Sequence, residues 1–396
     1  MINFGGMGRT INVNAFRNFF RSSSSSGIIL FACLILSLLL ANSPIGASFQ
    51  NLLETKIGFE TDVIHLRYSL ALWINDGLMA IFFLLVGLEI KREVVEGELS
   101  SPKKAILPII CAIGGAIVPA LIYTFFNGGK PTMHGWGIPM ATDIAFALAI
   151  LALLSDKVPV SLKIFLAALA IVDDLLAILV IAVFYSSELH YMNLVYAALI
   201  LGILLLFNRF GVKNLAFYLI PGVFIWYFVH HSGIHATIAG VLTAMTLPTT
   251  VDDAESPLEK LEHRLTIPVN FLIIPIFALA NTNIRFEDGM VEGLFTGLGM
   301  GIVLGLIIGK PVGIMLIAWL SVKLKISQLP EQSGWIHMLG LGLLGGIGFT
   351  MSIFISILSF ADPLLVQEAK FSILVGSVLS GFMGYMLLRF SSKGRR

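Results

Sequence analysis

The sequence predicts an all-α polytopic membrane protein, and three features of its composition support this fold class. Of the 396 residues, 57% are hydrophobic and only 12% are charged, whereas a typical soluble domain is roughly 25% charged. The 38 glycines also suit this class, because glycine is more frequent in transmembrane helices than in soluble ones. With 25 basic and 24 acidic residues, the chain has no basic surface for nucleic acid. A soluble fold and a nucleic-acid partner are therefore not expected.

About twelve transmembrane helices are predicted, because a helix needs about 20 mostly apolar residues to cross a bilayer. The predicted spans, numbered 1 to 12, are 27–44, 69–90, 105–126, 138–154, 160–185, 192–208, 214–230, 233–247, 265–283, 296–321, 334–358 and 366–389. Residues 1–26 are then a cytoplasmic N-terminal segment, 27–389 a single integral-membrane domain and 390–396 a short cytoplasmic tail. The start of the chain resembles a signal peptide but lacks a clear cleavage site, so we expect span 1 to be retained.

The distribution of lysine and arginine predicts the orientation. With both termini in the cytoplasm, 19 of the 25 basic residues fall on the inner side, 5 fall on the outer side and Lys310 lies within span 10. Cytoplasmic loops are enriched in these residues. We therefore expect both termini to be cytoplasmic.

Asp173 and Asp174 are the most informative charged residues, because they lie in the middle of the apolar segment ALAIVDDLLAILVIA. A charged side chain at the bilayer centre costs roughly 2.5–3.5 kcal/mol, so such residues usually have a function. Two adjacent carboxylates would also repel each other unless a cation or a proton were present. The pair therefore predicts a cation or proton site, and a helix cap or re-entrant loop is the alternative.

Proline accompanies two further charges within spans. Asp143 follows Pro139 in GIPMATDIAFALAIL, and Lys310 precedes a proline in LIIGKPVGI. A broken helix needs polar partners for its freed backbone groups, so Asp143 either caps the second half-helix or contacts the substrate directly. Lys310 either is compensated by a carboxylate or half-helix end, or carries a proton itself. Asp76 also lies within a span, and Glu89 lies near the inner end of span 2.

Span 11 carries five glycines between Gly340 and Gly348, which indicates either an unwound segment or close helix packing. Two interrupted spans, 4 and 11, one in each half of the chain, are typical of transporters built from inverted repeats. Spans 3–5 and 10–12 would then be the paired triplets.

Three polar regions outside the spans or at their ends are harder to interpret. His231 and His235 stand four residues apart without the glutamate of a zinc motif, so a core or interfacial role is favoured over zinc. Glu262 and His263 lie in a predicted inner loop, where a solvated charge run and pH-sensitive regulation are both possible. Outer loop 51–68 has strand-like pieces at 57–59 and 63–66 that suggest a small hairpin.

Six blocks of the sequence resemble, in order, those of the NhaA family of bacterial sodium/proton antiporters, from about Ser25 to about Leu388. They are WINDGLMAIFFLLVGLEIKRE (Trp73–Glu93), ATDIAFALAILALL (Ala141–Leu154), AIVDDL (Ala170–Leu175), GIHATIAGV (Gly233–Val241), GKPVGI (Gly309–Ile314) and GIGFTMSIF (Gly346–Phe354).

This resemblance implies an inner-membrane protein in which broken spans 4 and 11 cross antiparallel at mid-membrane. It implies that Asp173 and Asp174 bind Na⁺ or Li⁺ near Thr142, in competition with protons. Asp143 would balance the positive half-helix ends and Lys310 the negative ones. Asp76 would have a supporting role in charge compensation or proton coupling.

The resemblance also implies a cytoplasmic pH-sensing cluster and funnel. Its members here would be Glu89, Arg92, Glu93, Glu262 and His263. His235 matches a position tied to the pH response, and Glu259 stands where some relatives have a basic residue. A homodimer formed through loop 51–68 is a further expectation.

The expected function is therefore electrogenic, pH-regulated export of Na⁺ or Li⁺ in exchange for protons by a secondary active transporter without a cofactor. A cation channel is one alternative, although it would need a continuous pore and a repeated filter. An intramembrane aspartyl enzyme is the other, although its YD and GxGD motifs do not occur in this sequence.

Overall fold

The computed structural model describes residues 23–61, 65–154, 158–186, 189–249 and 255–391. The predicted N-terminal segment and C-terminal tail lie mostly outside these residues. The α-helices, with short π-helical turns included, are α1 Ser23–Ala41, α2 Gly46–Glu54, α3 Leu70–Val95, α4 Pro102–Asn127, α5 Ile144–Leu153, α6 Val160–Phe184, α7 Tyr191–Arg209, α8 Ala216–His230, α9 Ile238–Thr246, α10 Pro257–Asn281, α11 Met290–Gly293, α12 Gly297–Lys323, α13 Trp335–Gly345, α14 Phe349–Ser359 and α15 Pro363–Ser391. Two 3₁₀ helices, Glu98–Ser100 and Pro131–Met140, and two strands, β1 Lys56–Ile57 and β2 Tyr68–Ser69, complete the described elements.

Eight described helical segments, one of them the interrupted segment Pro131–Leu153, are long and apolar enough to cross a membrane, and the count rises to ten if each of two bent helix pairs is one span. Predicted spans 7 and 8 correspond to α8 and α9, which have only 15 and 9 residues. The expectation of a helical, multi-span membrane protein is therefore confirmed. The number twelve stays a prediction.

Two helical segments are interrupted in the regions of predicted spans 4 and 11. The first segment consists of the 3₁₀ helix Pro131–Met140, extended residues 141–143 (the first interruption) and α5. The second segment consists of α13, residues 346–348 (the second interruption) and α14, with the two helix axes bent by 45°. The interruptions touch each other, because the Asp143 amide donates a hydrogen bond to the Ile347 carbonyl over 2.6 Å.

Small residues allow the helices around these interruptions to approach closely. Where α4 crosses α12, a β-carbon on Gly313 would lie 2.2 Å from the Gly114 carbonyl oxygen. Likewise, a β-carbon on Gly346 would lie 2.3 Å from the Leu306 carbonyl oxygen. These backbone contacts fit the general use of small residues between membrane helices, and they bring α12 against both α4 and the second interruption.

The outer loop forms the expected hairpin, although its strands are displaced from the predicted ones. Lys56–Ile57 pairs with Tyr68–Ser69, and a single bridge joins Glu60 to His65; residues 62–64 lie outside the described part of the chain. Helix α2, just before the hairpin, was not predicted.

The prediction that Glu262 and His263 lie in a loop was wrong, because α10 already begins at Pro257. Ser256 and Glu259 form a capping box in which the Ser256 hydroxyl accepts from the Glu259 amide over 3.2 Å and the Glu259 carboxylate accepts from the Ser256 amide over 2.7 Å. Reciprocal capping satisfies two amides at a helix start. It therefore extends the helix across the charged segment that was predicted to be a loop.

Candidate functional site

Helix α6 carries Asp173 and Asp174 into the centre of the protein, where both are buried. Lys310, at the start of the last segment of α12, is fully buried beside them. Its ammonium group donates hydrogen bonds to Asp173 Oδ2 and to the Met140 carbonyl oxygen. The lysine therefore has a carboxylate partner, as one of the two interpretations of Lys310 expected, and the carbonyl of the last residue of the 3₁₀ helix binds it as well.

Thr142 connects the carboxylate pair to the second interruption. Its hydroxyl oxygen lies 2.6 Å from Asp173 Oδ2 and 2.7 Å from the Gly345 carbonyl oxygen. Thr142 lies in the extended residues 141–143 just before α5, and Gly345 is the last residue of α13. Three separate elements thus meet at the Asp173 carboxylate, and the second interruption is joined to it through Thr142. Small displacements of either interruption will therefore change its surroundings.

Each carboxylate of the pair has one buried oxygen without a hydrogen-bond partner among the described residues, Asp173 Oδ1 and Asp174 Oδ1. Buried polar atoms are normally hydrogen-bonded, so such exceptions need an explanation. A bound cation or a proton on the carboxylate is the usual partner of such an oxygen. Within the described residues, no group of three or more His, Cys, Asp or Glu side chains could hold a metal.

Asp143 lies at the contact between the two interruptions and caps two helices. As the N-cap of α5, it accepts a hydrogen bond from the Phe146 amide over 3.1 Å. Its other oxygen accepts from the Thr350 amide over 3.0 Å and from the Thr350 hydroxyl over 2.5 Å. One negative charge therefore faces the positive N-terminal ends of both α5 and α14.

Asp76 lies away from this centre, in a π-helical turn of α3 at Trp73–Leu78. Its carboxylate pairs with His230 at the end of α8 over 3.1 Å, and the His230 ring stacks on Trp226. His235 lies within electrostatic range of both members of the pair. Sequence reasoning missed His230, although the spacing of Trp226 and His230 by four residues places their rings on one helix face.

The predicted inner cluster is brought together except for His263. The Arg92 guanidinium binds Glu262 over 2.9 Å and Glu93 over 2.8 Å. Glu89 lies within electrostatic range of this network and of Asp174. His263 instead pairs with Glu255 over 2.9 Å and its side chain is 70% exposed.

The fold and this centre define a polytopic helical membrane protein with an ionisable core, a class in which buried charged groups usually mark an ion pathway. Comparison with known proteins identifies the family. The chain matches the Na⁺/H⁺ antiporter 1 family over residues 17–388, and it belongs to that family.

Curated relatives agree with this assignment over nearly their whole length. The chain is 63% identical to Na(+)/H(+) antiporter NhaA 2 of Flavobacterium johnsoniae, covering 99% of this chain and 97% of the relative. It is 52% identical to Na(+)/H(+) antiporter NhaA of Flavobacterium psychrophilum, covering 96% of both, and 48% identical to the protein of that name from Caulobacter vibrioides, covering 97% and 93%. The resemblance found in the sequence is thereby confirmed, and the family is one of transporters rather than enzymes.

Proposed function

We propose that this protein is an electrogenic, pH-regulated Na⁺/H⁺ antiporter of the bacterial inner membrane, which exports Na⁺ or Li⁺ at Asp173 and Asp174. Family membership and the names of its relatives support Na⁺/H⁺ exchange. The observation that carries the site assignment is the buried carboxylate pair with one unpartnered oxygen on each residue.

The mechanism is competition among positive charges for the same carboxylates. In the described arrangement Asp173 is neutralised by Lys310, and Asp174 has no such partner. A sodium ion that enters takes oxygen ligands from both aspartates and from Thr142, and it weakens the hold of Asp173 on the lysine. Because two interacting acids titrate as a unit, proton release belongs to the pair rather than to one residue.

Lys310 then has one of two roles, and both follow from its position. If it remains charged, its ammonium balances Asp173 and the Met140 carbonyl, and only the aspartates exchange protons. If loss of its counterion forces it to release a proton, it is itself a proton carrier, because an uncompensated buried charge is costly.

Electrogenic transport requires unequal charge movement. If two protons enter for each Na⁺ that leaves, one net charge crosses per cycle, and the membrane potential contributes about 2.3 kcal/mol per 100 mV. The topology proposed for this cycle has twelve spans in two inverted repeats, with broken spans 4 and 11 crossing at mid-membrane. The contact between Asp143 and Ile347 supports that crossing, and the excess of inner lysine and arginine supports cytoplasmic termini.

Regulation by pH is assigned to ionisable residues outside the exchange site. The proposed set is Glu89, Arg92, Glu93, Glu262 and His235. The expected member His263 is left out, because its exposed side chain pairs with Glu255 instead. The ion pairs of Arg92 with Glu93 and Glu262 support a coupled cytoplasmic group. A homodimer through loop 51–68 is proposed as well, and the hairpin found there gives it a defined surface.

Neither rival function fits the site as well. In an aspartyl enzyme two carboxylates share a proton and face each other, whereas here they are neighbours on α6 and one binds a lysine. A channel has no need of a lysine that competes with the permeating cation for its binding carboxylate.

Electrogenicity can be tested in proteoliposomes by following Na⁺ efflux driven by an imposed pH gradient, with and without a K⁺/valinomycin clamp of the membrane potential. The proposal predicts faster Na⁺ export when the potential is negative on the side that Na⁺ leaves. Export that is equally fast at every potential would contradict electrogenic exchange and leave neutral exchange as the function.

A further inference from the structure

Two serine hydroxyls of α15 bind the backbone on both sides of the second interruption, near the end of α13 and at the start of α14. The Ser377 hydroxyl oxygen accepts hydrogen bonds from the Gly348 amide over 3.2 Å and the Phe349 amide over 3.1 Å. The Ser380 hydroxyl donates to the Leu343 carbonyl oxygen over 2.7 Å. Both serines are buried, so water does not replace these contacts readily.

The Ser377 contacts matter because a helix start leaves its first amides without acceptors. At the start of α14, the Thr350 amide is bound by Asp143, and the two preceding amides are bound by Ser377. One charged and one neutral side chain, from two different elements, therefore share the positive end of this half-helix.

The Ser380 contact is a weaker constraint. The Leu343 carbonyl also accepts a hydrogen bond from the Gly346 amide over 3.0 Å, so removal of the Ser380 hydroxyl leaves that carbonyl with one partner. In contrast, removal of the Ser377 hydroxyl leaves two buried amides with none of the hydrogen bonds described for them.

From these contacts we infer that Ser377, assisted by Ser380, is a positioning residue for ion exchange: it holds the interruption so that the Gly345 carbonyl meets Thr142 and the start of α14 meets Asp143. This inference rests on the proposed function. Without Ser377, the Asp143 carboxylate is the other acceptor described at this helix start, where it binds the Thr350 amide. Its movement toward the two amides displaces the adjoining Thr142 from Asp173.

The test compares four single variants in everted membrane vesicles, with the apparent KM for Na⁺ and the maximal rate measured separately. Ser377→Ala is expected to raise KM by at least about tenfold, because it leaves two buried amides unpaired and one lost hydrogen bond to a buried group already corresponds to about tenfold, with a smaller change in maximal rate. Ser380→Ala should raise KM less. Ser377→Thr keeps the hydroxyl and should restore wild-type KM, since Ser377 lines a cavity of about 350 Å³ that has room for a methyl group.

Ser372→Ala is the matched control. Ser372 is a fully buried serine of the same helix, and its hydroxyl donates over 2.9 Å to the Glu368 carbonyl of α15 itself. Its loss should leave KM unchanged. If Ser377→Ala fails to accumulate in the membrane, Ser377→Cys, of similar size but a weak acceptor, replaces it with the same expected rise.

The outcomes separate this inference from the proposed function. An inactive wild type would overturn the proposed function. An active wild type with Ser377→Ala or Ser377→Cys indistinguishable from Ser372→Ala, or a Ser377→Thr variant as impaired as Ser377→Ala, would overturn the positioning role alone.

Discussion

Asp143 is predicted to stabilise the meeting point of the two interruptions, and Asp143→Ala should lower the free energy of unfolding by about 4 kcal/mol. The carboxylate accepts hydrogen bonds from the Phe146 amide, the Thr350 amide and the Thr350 hydroxyl. Alanine leaves the buried Thr350 amide and the partly buried Phe146 amide unpaired, and each costs about 1–3 kcal/mol. The hydroxyl can rotate to another acceptor, so it adds little.

Asp143→Asn keeps one of the two acceptor oxygens. The amide oxygen of asparagine can still accept from Thr350, whereas its NH₂ group cannot accept from the Phe146 amide, which loses its partner at a cost of about 1–3 kcal/mol. Asparagine and alanine both remove the charge that faces the starts of α5 and α14, so they differ in the amide that asparagine still binds. We therefore expect a loss of about 2 kcal/mol for asparagine, smaller than for alanine.

The assay is reversible unfolding in mixed micelles with increasing SDS, followed by tryptophan fluorescence. Asp362→Asn is the matched control, because Asp362 caps the start of α15 from an exposed position and its replacement should change stability little. If Asp143→Ala unfolds at the same SDS fraction as the wild type, or if asparagine is as destabilising as alanine, the capping account is wrong.

Three further changes test other parts of the site. Lys310→Met leaves the buried Asp173 carboxylate without its cation, which costs about 3–5 kcal/mol. It should therefore abolish Na⁺-dependent exchange at neutral pH, measured by vesicle transport, and reduce the yield of folded protein, measured by size-exclusion chromatography. His230→Gln removes the pairing of His230 with Asp76 and leaves Asp173 and its partners unchanged. It should therefore change the maximal rate less than fivefold in the same transport assay. Complete inactivity would instead place Asp76 at the exchange site itself. His263→Ala should leave the pH profile of transport within about 0.7 pH units of the wild type, because its side chain is 70% exposed and exposed pairs contribute only about 0–1 kcal/mol. A larger shift would restore His263 to the pH-sensing cluster.

The location of the ionisable centre could be predicted from the sequence because apolar context alone identifies costly charges. Asp173 and Asp174 stand out from their flanking residues without any knowledge of the fold. Proline near Asp143 and Lys310 likewise indicated irregular backbone. Which of these groups meet was beyond sequence reasoning, because the pairing of Lys310 with Asp173 depends on how α6 and α12 are rotated and placed in space.

Other features were missed for identifiable reasons. The pairing of Asp76 with His230 joins residues more than 150 positions apart, so no local sequence pattern predicts it. The start of α10 at Pro257 could have been found, since serine followed three residues later by glutamate is a capping box, but the high charge of the segment favoured a loop. The serines of α15 gave no signal, because a buried serine in an apolar helix usually binds a carbonyl of its own helix.

The central claim is that Na⁺ and protons compete for the Asp173 and Asp174 pair. The most direct test is Na⁺-induced collapse of a respiration-generated pH gradient in everted membrane vesicles across a range of pH, with Asp173→Asn and Asp174→Asn beside the wild type. The account predicts collapse in the wild type at alkaline pH and its loss in both variants, with both proteins present in the membrane at wild-type amounts. Collapse that persists undiminished in either variant would contradict exchange at this pair.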